Sequence, residues 1–388
     1  MVKRERQKRG RRSNGEGSIY LRKDGRWAVD ITIEGHTRKR YYCKTEKEAI
    51  EKRRTVLNEL AQGSLATGPQ KTLKDYLEQW LEDVQKDRLR ISTYVKYKKM
   101  INYIIPVLGH IRLQKLTPQQ VQSLYTKKIR DGLAPKTVYA IHGVLHSALE
   151  NAVRWNLVSR NVTKLVTPPR VVKREREPLT LEQAQKLLEV ARGNRLEMLL
   201  VLALTTGMRR GELLALRWSD IDFEGNSLQV RRTVDFIARY GYVENEPKTA
   251  RGKRKILLPS FVVEMLKQHK VSQLKQKLKV GEAWYGLDLV VCGLEGNYLN
   301  PRYLLKLFDK LLKEAGLPHM HFHDLRHSVV TLLLSMGVDP RSIQEFVGHE
   351  DITTTLGIYS HMLPSMQQGI VDKLNGLFGG DDVPKVGG

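Results

Sequence analysis

Between residues 27 and 34 hydrophobic and polar positions change places at every step, with Trp27, Val29, Ile31 and Ile33 alternating with Ala28, Asp30, Thr32 and Glu34. That period predicts a strand with one buried face. The wider stretch GSIYLRKDGRWAVDITIEGHTRKRYYC reads as three such strands, with KDGR and IEGH as the turns. From Thr45 the spacing of apolar positions changes to three and four. Ala49, Val56, Leu57 and Leu60 then line one side of a helix capped by Thr45 and running to about Leu60. Residues 1–65 are expected to form a three-stranded β-sheet plus one helix.

After the soft stretch AQGSLATGPQ, four segments beginning at 72, 92, 117 and 134 repeat the helical spacing, each opening with Thr, Ser or an N-terminal Pro. They predict an all-α bundle over 70–168. Pro168, Pro169 and Pro178 bracket a charge run in VTPPRVVKREREPLT, which reads as an exposed linker, 169–178, with the boundary near 175. From Thr180 to the end, helices at LEQAQKLLEVAR, RLEMLLVLALTTG and RRGELLALRW precede strands at NSLQVRRTV and KRKILLP, and helices follow. Residues 179–388 are therefore expected to be a mixed, mainly α domain with a small antiparallel β-sheet. MQQGIVDKLNGLF would close it as a short helix with Met366, Ile370, Leu374 and Leu377 or Phe378 on one side. A multidomain chain agrees with a length of 388 residues.

Charge narrows the choice of partner. The formal net charge is +24, and it is uneven: residues 1–70 carry 18 basic and 9 acidic side chains, 71–170 carry 18 and 7, and the remainder 30 and 26. Such a concentration favours a polyanion, nucleic acid ahead of an anionic membrane, over a surface that is merely solubilising. Seven of the first twelve residues are basic, an arm suited to following phosphates. Cys43 and Cys292 are too few for a disulfide framework. With no secretion signal and no long apolar run, a soluble intracellular protein in a reducing compartment is expected.

Several residues in the last domain are too polar for their surroundings. In LALTTGMRRGELLALRW, Glu212 lies three residues after Arg209, and the pair taken alone reads as an ion pair that orders a helix start ahead of any functional role. EPKTARGKRKILLP places Lys248 and the basic run 251–255 in a turn between two strands, where phosphate contact is the ordinary role. HMHFHDLRH holds four histidines in nine positions. His323 and His327 have the four-residue spacing of zinc ligands, but Arg326 beside them repels a dication and no third ligand completes a sphere. His323 and Arg326 instead face the same way at a helix start. VGHEDITTTLGIYSHM adds His349 and, ten residues later, Tyr359.

Together, TGMRRGELLALRW, PKT before a basic strand, HDLRHSVVT, VGHEDITTTLGIY and YSHM closely resemble the tyrosine recombinases, the phage-type integrases, over residues 178–363. The bundle is similar to the family's core-site-binding domain. The N-terminal sheet and helix are similar to the arm-binding domain of integrases from conjugative transposons and temperate phages of Gram-positive bacteria. The resemblance implies a site-specific recombinase with Tyr359 as nucleophile and Arg209, Lys248, His323, Arg326 and His349 as its catalytic partners. It needs no metal and no cofactor. His319 and His321 match no family role and are read as structural. Lys3, Arg4, Arg11, Arg12, Arg22, Arg26, Arg38 and Arg40 in the first domain are candidates for DNA contact, as are Lys96, Lys98, Lys99 and Lys136 in the bundle. Implied partners are double-stranded core and arm attachment sites, three further copies in a tetramer on DNA, an excisionase and a host DNA-bending protein, in the bacterial cytoplasm at the nucleoid. Two rivals stay open, a type IB topoisomerase and a non-enzymatic DNA-binding regulator with the same fold.

Overall fold

The computed structural model describes residues 17–33, 37–61, 71–172, 177–247, 252–348 and 350. The chain divides into two units, 1–173 and 174–388. The basic arm, the IEGH turn, Lys248, His349, Tyr359 and the expected C-terminal helix lie outside the described residues.

In the first unit β1 (Ser18–Leu21), β2 (Trp27–Ile33) and β3 (Thr37–Cys43) form an antiparallel meander with β2 in the middle. Gly25 supplies the left-handed φ of +78° that the first turn needs. The helix α1 (Glu46–Ala61) starts where Thr45 Oγ1 accepts from Glu48 N at 3.2 Å. Ala49 and Val56 of α1 bury Val29 and Ile31, the face that the alternation marks. Ala28 points the other way and is also buried, because Tyr20 and Tyr42 stand opposite it on the neighbouring strands.

The bundle has its own core. The helix α2 (Leu73–Gln79) continues into a wider π-type turn over Trp80–Gln85. Then come α3 (Ile91–Leu108), α4 (Pro118–Arg130) and α5 (Pro135–Arg154). Thr72 caps α2, and Thr117 with Gln120 closes a reciprocal box on α4. Ser92 is no cap, since α3 starts one residue before it, at Ile91, and the N-cap position, Arg90, makes no side-chain cap. Trp80, Tyr76, Tyr125, Ile141 and Leu145 fill the interior, and Tyr76 donates to Ala148 O at 2.6 Å.

The second unit opens with α6 (Leu181–Val190), boxed by Thr180 and Gln183, and α7 (Glu197–Thr206). Met198 through Ala203 are all buried, so α7 is the central helix, packed against helices on more than one side. It ends at Gly207, whose φ of 60° turns the chain into α8 (Arg210–Leu214). The expected helix through Trp218 stops at Leu214. The chain instead pairs with 288–290 on either side of an extended Arg217, Trp218 N donating to Asp288 O and Val290 N to Leu216 O, before a 3-10 turn over Trp218–Asp220.

The strands β4 (Ile221–Asp222), β5 (Ser227–Val230), β6 (Thr233–Ile237), β7 (Gly241–Asn245) and β8 (Arg254–Leu257) make two antiparallel sheets, ordered β4-β5-β8 and β6-β7. The Lys248 segment does lie between two strands, but not within a hairpin. Its flanking strands, β7 and β8, are not paired with each other, because β7 pairs back on β6 and β8 crosses to β5. The helices α9 (Ser260–Val280), α10 (Pro301–Glu314), α11 (Asp324–Ser335) and α12 (Pro340–Val347) complete the unit, and Gly348 ends α12 in the left-handed region. Among the described residues no helix is long and apolar enough to cross a membrane.

At Gly211 the first turn of α8 meets β6 so closely that a Cβ would lie 2.4 Å from Thr233 Oγ1 and 2.9 Å from Val234 O. Gly211→Ala should therefore cost about 1–3 kcal/mol of stability through overpacking. Thermal melts check it; a variant that melts with the parent would show that β6 yields freely.

Candidate active site

Four elements bring the polar residues of the second unit together: the start of α8, the start of α11, the end of α12 and β8. Arg209 stands at the N-cap of α8. Its Nη1 donates to Glu212 Oε1 at 2.8 Å, its backbone N donates to Glu212 Oε2 at 3.0 Å, and its Nη2 donates to Gly348 O at 2.8 Å. The ion-pair reading of Arg209 and Glu212 and the functional one thus hold at once, since the pair that orders the helix start also aims the guanidinium.

Arg326, on the first turn of α11, is buried and donates through Nη1 to Gly207 O at 2.8 Å and Val347 O at 2.5 Å. Burial, with Arg209 adding to it, pushes its pKa down to about 9, so it stays charged at neutral pH. Glu212 is buried too. Burial works against its charge, but Arg254 and Arg209 hold its carboxyl below the ordinary carboxylate range. Arg254, on β8, donates through Nη2 to Glu212 Oε2 at 3.1 Å.

His323 caps the other end of this arrangement at the start of α11, its ring edge-on to His327 at 5.3 Å between centroids. His323 opens onto the cleft, and the residues packed beside its ring partly desolvate it. That desolvation, followed by His327, Arg326 and Arg209, lowers its pKa to about 4. The ring is therefore neutral at pH 7 and able to accept a proton.

A cleft of about 540 Å³ opens over these groups, lined by Arg209, Arg210, Glu212, Asp235, His321 and His323 among others. Pro247 and Glu350, the chain neighbours of Lys248 and His349, line it as well. Arg326 and Arg254 are not among its lining residues and stand behind its wall. Of the six expected catalytic residues, then, Arg209 and His323 reach the cleft, Arg326 backs it, and Lys248, His349 and Tyr359 lie outside the described residues. Among the described residues no cluster of three or more His, Cys, Asp or Glu is placed to hold a metal.

Some residues at the site carry no clear signal in the sequence. Arg254 sits in the run read as phosphate contacts but is buried against Glu212. His321 lines the cleft, and His319 is exposed beside Asp309 at 3.3 Å, so neither is a packed core histidine. Asp235 and Arg210 also line the cleft, and only the topology of β6 puts Asp235 there.

Of the residues expected to touch DNA, Lys3, Arg4, Arg11 and Arg12 lie outside the described residues. Arg22, Arg26, Arg38 and Arg40 belong to the sheet face away from α1. Three of these four already have carboxylates: Asp24 faces Arg22 and Arg26 at 3.4 and 2.8 Å, and Asp30 faces Arg40 at 2.6 Å. Lys96, Lys98, Lys99 and Lys136 are exposed on the bundle. Lys96 and Lys99 share one side of α3, whereas Lys98 lies over the Tyr94 ring at 6.0 Å.

Residues 177–366 match the Phage integrase family, and residues 72–129 match the Phage integrase, N-terminal SAM-like domain. A tyrosine recombinase XerC-like protein of Caldanaerobacter subterraneus subsp. tengcongensis is 33% identical over 360 residues, 88% of this chain and 92% of that protein. The ICEBs1 integrase of Bacillus subtilis is 24% identical over 372 residues, 93% of this chain and 100% of that protein. The Tn1549 transposon integrase, solved in complex with transposon right end DNA, has the same fold with a TM-score of 0.67 at 20% identity, covering 78% of this chain and 99% of that one. The chain therefore belongs to the phage integrase family, the tyrosine recombinases. It is a site-specific recombinase, an enzyme that cuts and rejoins DNA strands in the integration and excision of mobile elements.

The lowered pKa of His323 has a measurable sign. The unfolded chain takes up a proton at this residue near pH 6.5, whereas the folded chain does so only near 4. The stability this neutral ring contributes is complete above about pH 6.5 and is lost as pH falls toward 4. Denaturant melts from pH 7 to 4 should show a steeper acid loss for the wild type than for His323→Gln; parallel losses would contradict the assignment.

Proposed function

We propose that the cleft is the strand-transfer site and that Tyr359 is its nucleophile. The phenolic oxygen attacks the scissile phosphorus, the phosphotyrosyl bond forms at the 3′ side, and the bond to the 5′-oxygen breaks. Neutral His323 takes the phenol's proton, which a group of pKa about 10 would otherwise keep at neutral pH. Arg209, Arg326 and His349 offset the charge that gathers on the non-bridging oxygens. Lys248 returns a proton to the leaving 5′-oxygen. Religation runs the same steps in reverse from another strand's 5′-hydroxyl, with the bond energy conserved in the phosphotyrosine, so neither ATP nor a metal ion enters the scheme.

The observation that carries this reading is the neutral His323 at a cleft walled by Arg209 and backed by Arg326. A proton acceptor beside fixed cations suits phosphoryl transfer by a phenol, and it serves no purpose in a regulator that only binds DNA.

In the same proposal, residues 1–65 address arm-type sites, 70–168 hold the core site, 169–178 join them to the catalytic domain 179–388, and four copies assemble on two duplexes. The two separate DNA-addressing regions disfavour a type IB topoisomerase, whose relaxation of supercoils needs no second address. Arg38, Lys96, Lys99 and Lys136, exposed and facing no acidic side chain at ion-pair distance among the described residues, are the most available of the expected phosphate contacts. An excisionase and a host DNA-bending protein would set direction, and the element is a prophage or a conjugative transposon.

On an attachment-site duplex nicked opposite the scissile phosphate, the purified protein should become covalently joined to DNA in the presence of chelator, and Tyr359→Phe should form none of this product. Covalent complex in the Phe variant would refute the nucleophile. Deleting residues 364–388 should impair assembly of four-subunit complexes, measured by native gel shift, while single core-site binding changes by less than roughly threefold, under ~1 kcal/mol. Normal strand exchange by the truncated protein would refute the role given to that tail.

A further inference from the structure

Three consecutive carbonyls at the end of α12 are each taken by a different arginine. Phe346 O accepts from Arg254 Nε at 3.0 Å, Val347 O from Arg326 Nη1 at 2.5 Å, and Gly348 O from Arg209 Nη2 at 2.8 Å. The last carbonyls of a helix lack intrahelical partners and carry its partial negative charge, so cations gather there. Arg209 and Arg326 have places in the strand-transfer scheme. Arg254 has none.

Arg254 cannot meet the phosphate from where it stands. Its side chain is 7% exposed and does not line the cleft. Its remaining donors go to Gly252 O at 3.3 Å and Glu212 Oε2 at 3.1 Å. Glu212 is shared, because its other oxygen accepts from Arg209 Nη1 at 2.8 Å. Packing alone does not account for a guanidinium here, since an aliphatic side chain would fill the volume without the cost of desolvating a cation.

We propose that Arg254 is a positioning residue for strand transfer, dividing Glu212 with Arg209 and pinning the end of α12, so that Arg209 keeps both its aim and its net charge. The proposal rests on the cleft being the strand-transfer site. Two guanidiniums around one carboxylate leave one positive charge for the cleft. Without Arg254, Glu212 offsets Arg209 one for one and draws it back from the phosphate. A lysine would keep the charge but lack the planar fork that spans Glu212 and Phe346 together.

The test follows single-turnover covalent complex formation on the nicked duplex by the full-length protein, with DNA affinity and thermal melting measured on the same preparations. Arg254→Gln should react roughly tenfold to a hundredfold more slowly, the usual range for a misplaced catalytic group, with DNA affinity within about threefold of wild type. Adding Glu212→Gln to Arg254→Gln restores the net charge beside Arg209, and the double variant should react faster than Arg254→Gln alone. Residues in contact couple whatever their role, so the rate gain of the double variant must exceed any gain in its melting temperature; a merely structural role would move rate and stability together.

Wild-type rate in Arg254→Gln would overturn the proposal, as would additive losses or a rate loss matched by lost DNA binding. Should Arg254→Gln not fold, Arg254→Lys decides: a rate reduced at normal affinity supports the proposal, and a wild-type rate overturns it. A wild-type protein that forms no covalent complex would instead sink the strand-transfer reading itself.

Discussion

Like charges packed out of water repel, and the second unit is organised around how three buried or half-buried arginines are made tolerable. Arg209, Arg254 and Arg326 converge with a single carboxylate, Glu212, between the first two. Backbone dipoles add to it. The buried C-terminal end of α12 offers Phe346, Val347 and Gly348 as acceptors, and the C-terminal turn of α7 offers Gly207. The left-handed glycines that end α7 and α12, Gly207 and Gly348, therefore do more than stop helices. Each frees a carbonyl at the place where a guanidinium needs one.

That arrangement gives an incomplete neutralisation, which is what phosphate chemistry requires. A site balanced charge for charge would have no attraction left for a phosphodiester, and a site with no internal acceptors would not fold. Arginine suits the compromise better than lysine because its charge survives desolvation: Arg326 is pushed down only to about 9. Histidine does the opposite under the same pressure and loses its proton, so His323 stays neutral among the cations. One electrostatic environment thus leaves the arginine charged and the histidine neutral.

The same contrast runs along the chain. In the N-terminal sheet Asp24 and Asp30 take up Arg22, Arg26 and Arg40 on the open face, and Tyr20 and Tyr42 lie beneath their guanidiniums at 4.8 to 5.9 Å. These guanidiniums are engaged by neighbours on their own sheet. On the bundle, Lys96 and Lys99 are exposed charges on a helix that packs into the bundle core. A basic composition contains both kinds and does not tell them apart.

Much was legible in the residues alone. Period-two and period-four spacing marked the first sheet and most of the helices, because burial of one face leaves its trace at every second or every third and fourth position. Thr45, Thr72, Thr117 and Thr180 announced their helices, since capping is a local hydrogen bond between near neighbours. The motifs TGMRRGELLALRW, HDLRHSVVT and VGHEDITTTLGIY named the family. Other features were decided only in three dimensions. The helix at Arg210 stops at Leu214 because the backbone of 216–218 found a partner some seventy residues away. The segment of Lys248 joins two sheets because β8 pairs with β5 rather than β7. Arg254 looks like any surface cation until β8 carries it under α12. Local order and reactive residue types are written in short-range spacing, whereas the pairing of strands and the sharing of one carboxylate between two arginines depend on distant segments meeting, which no spacing records.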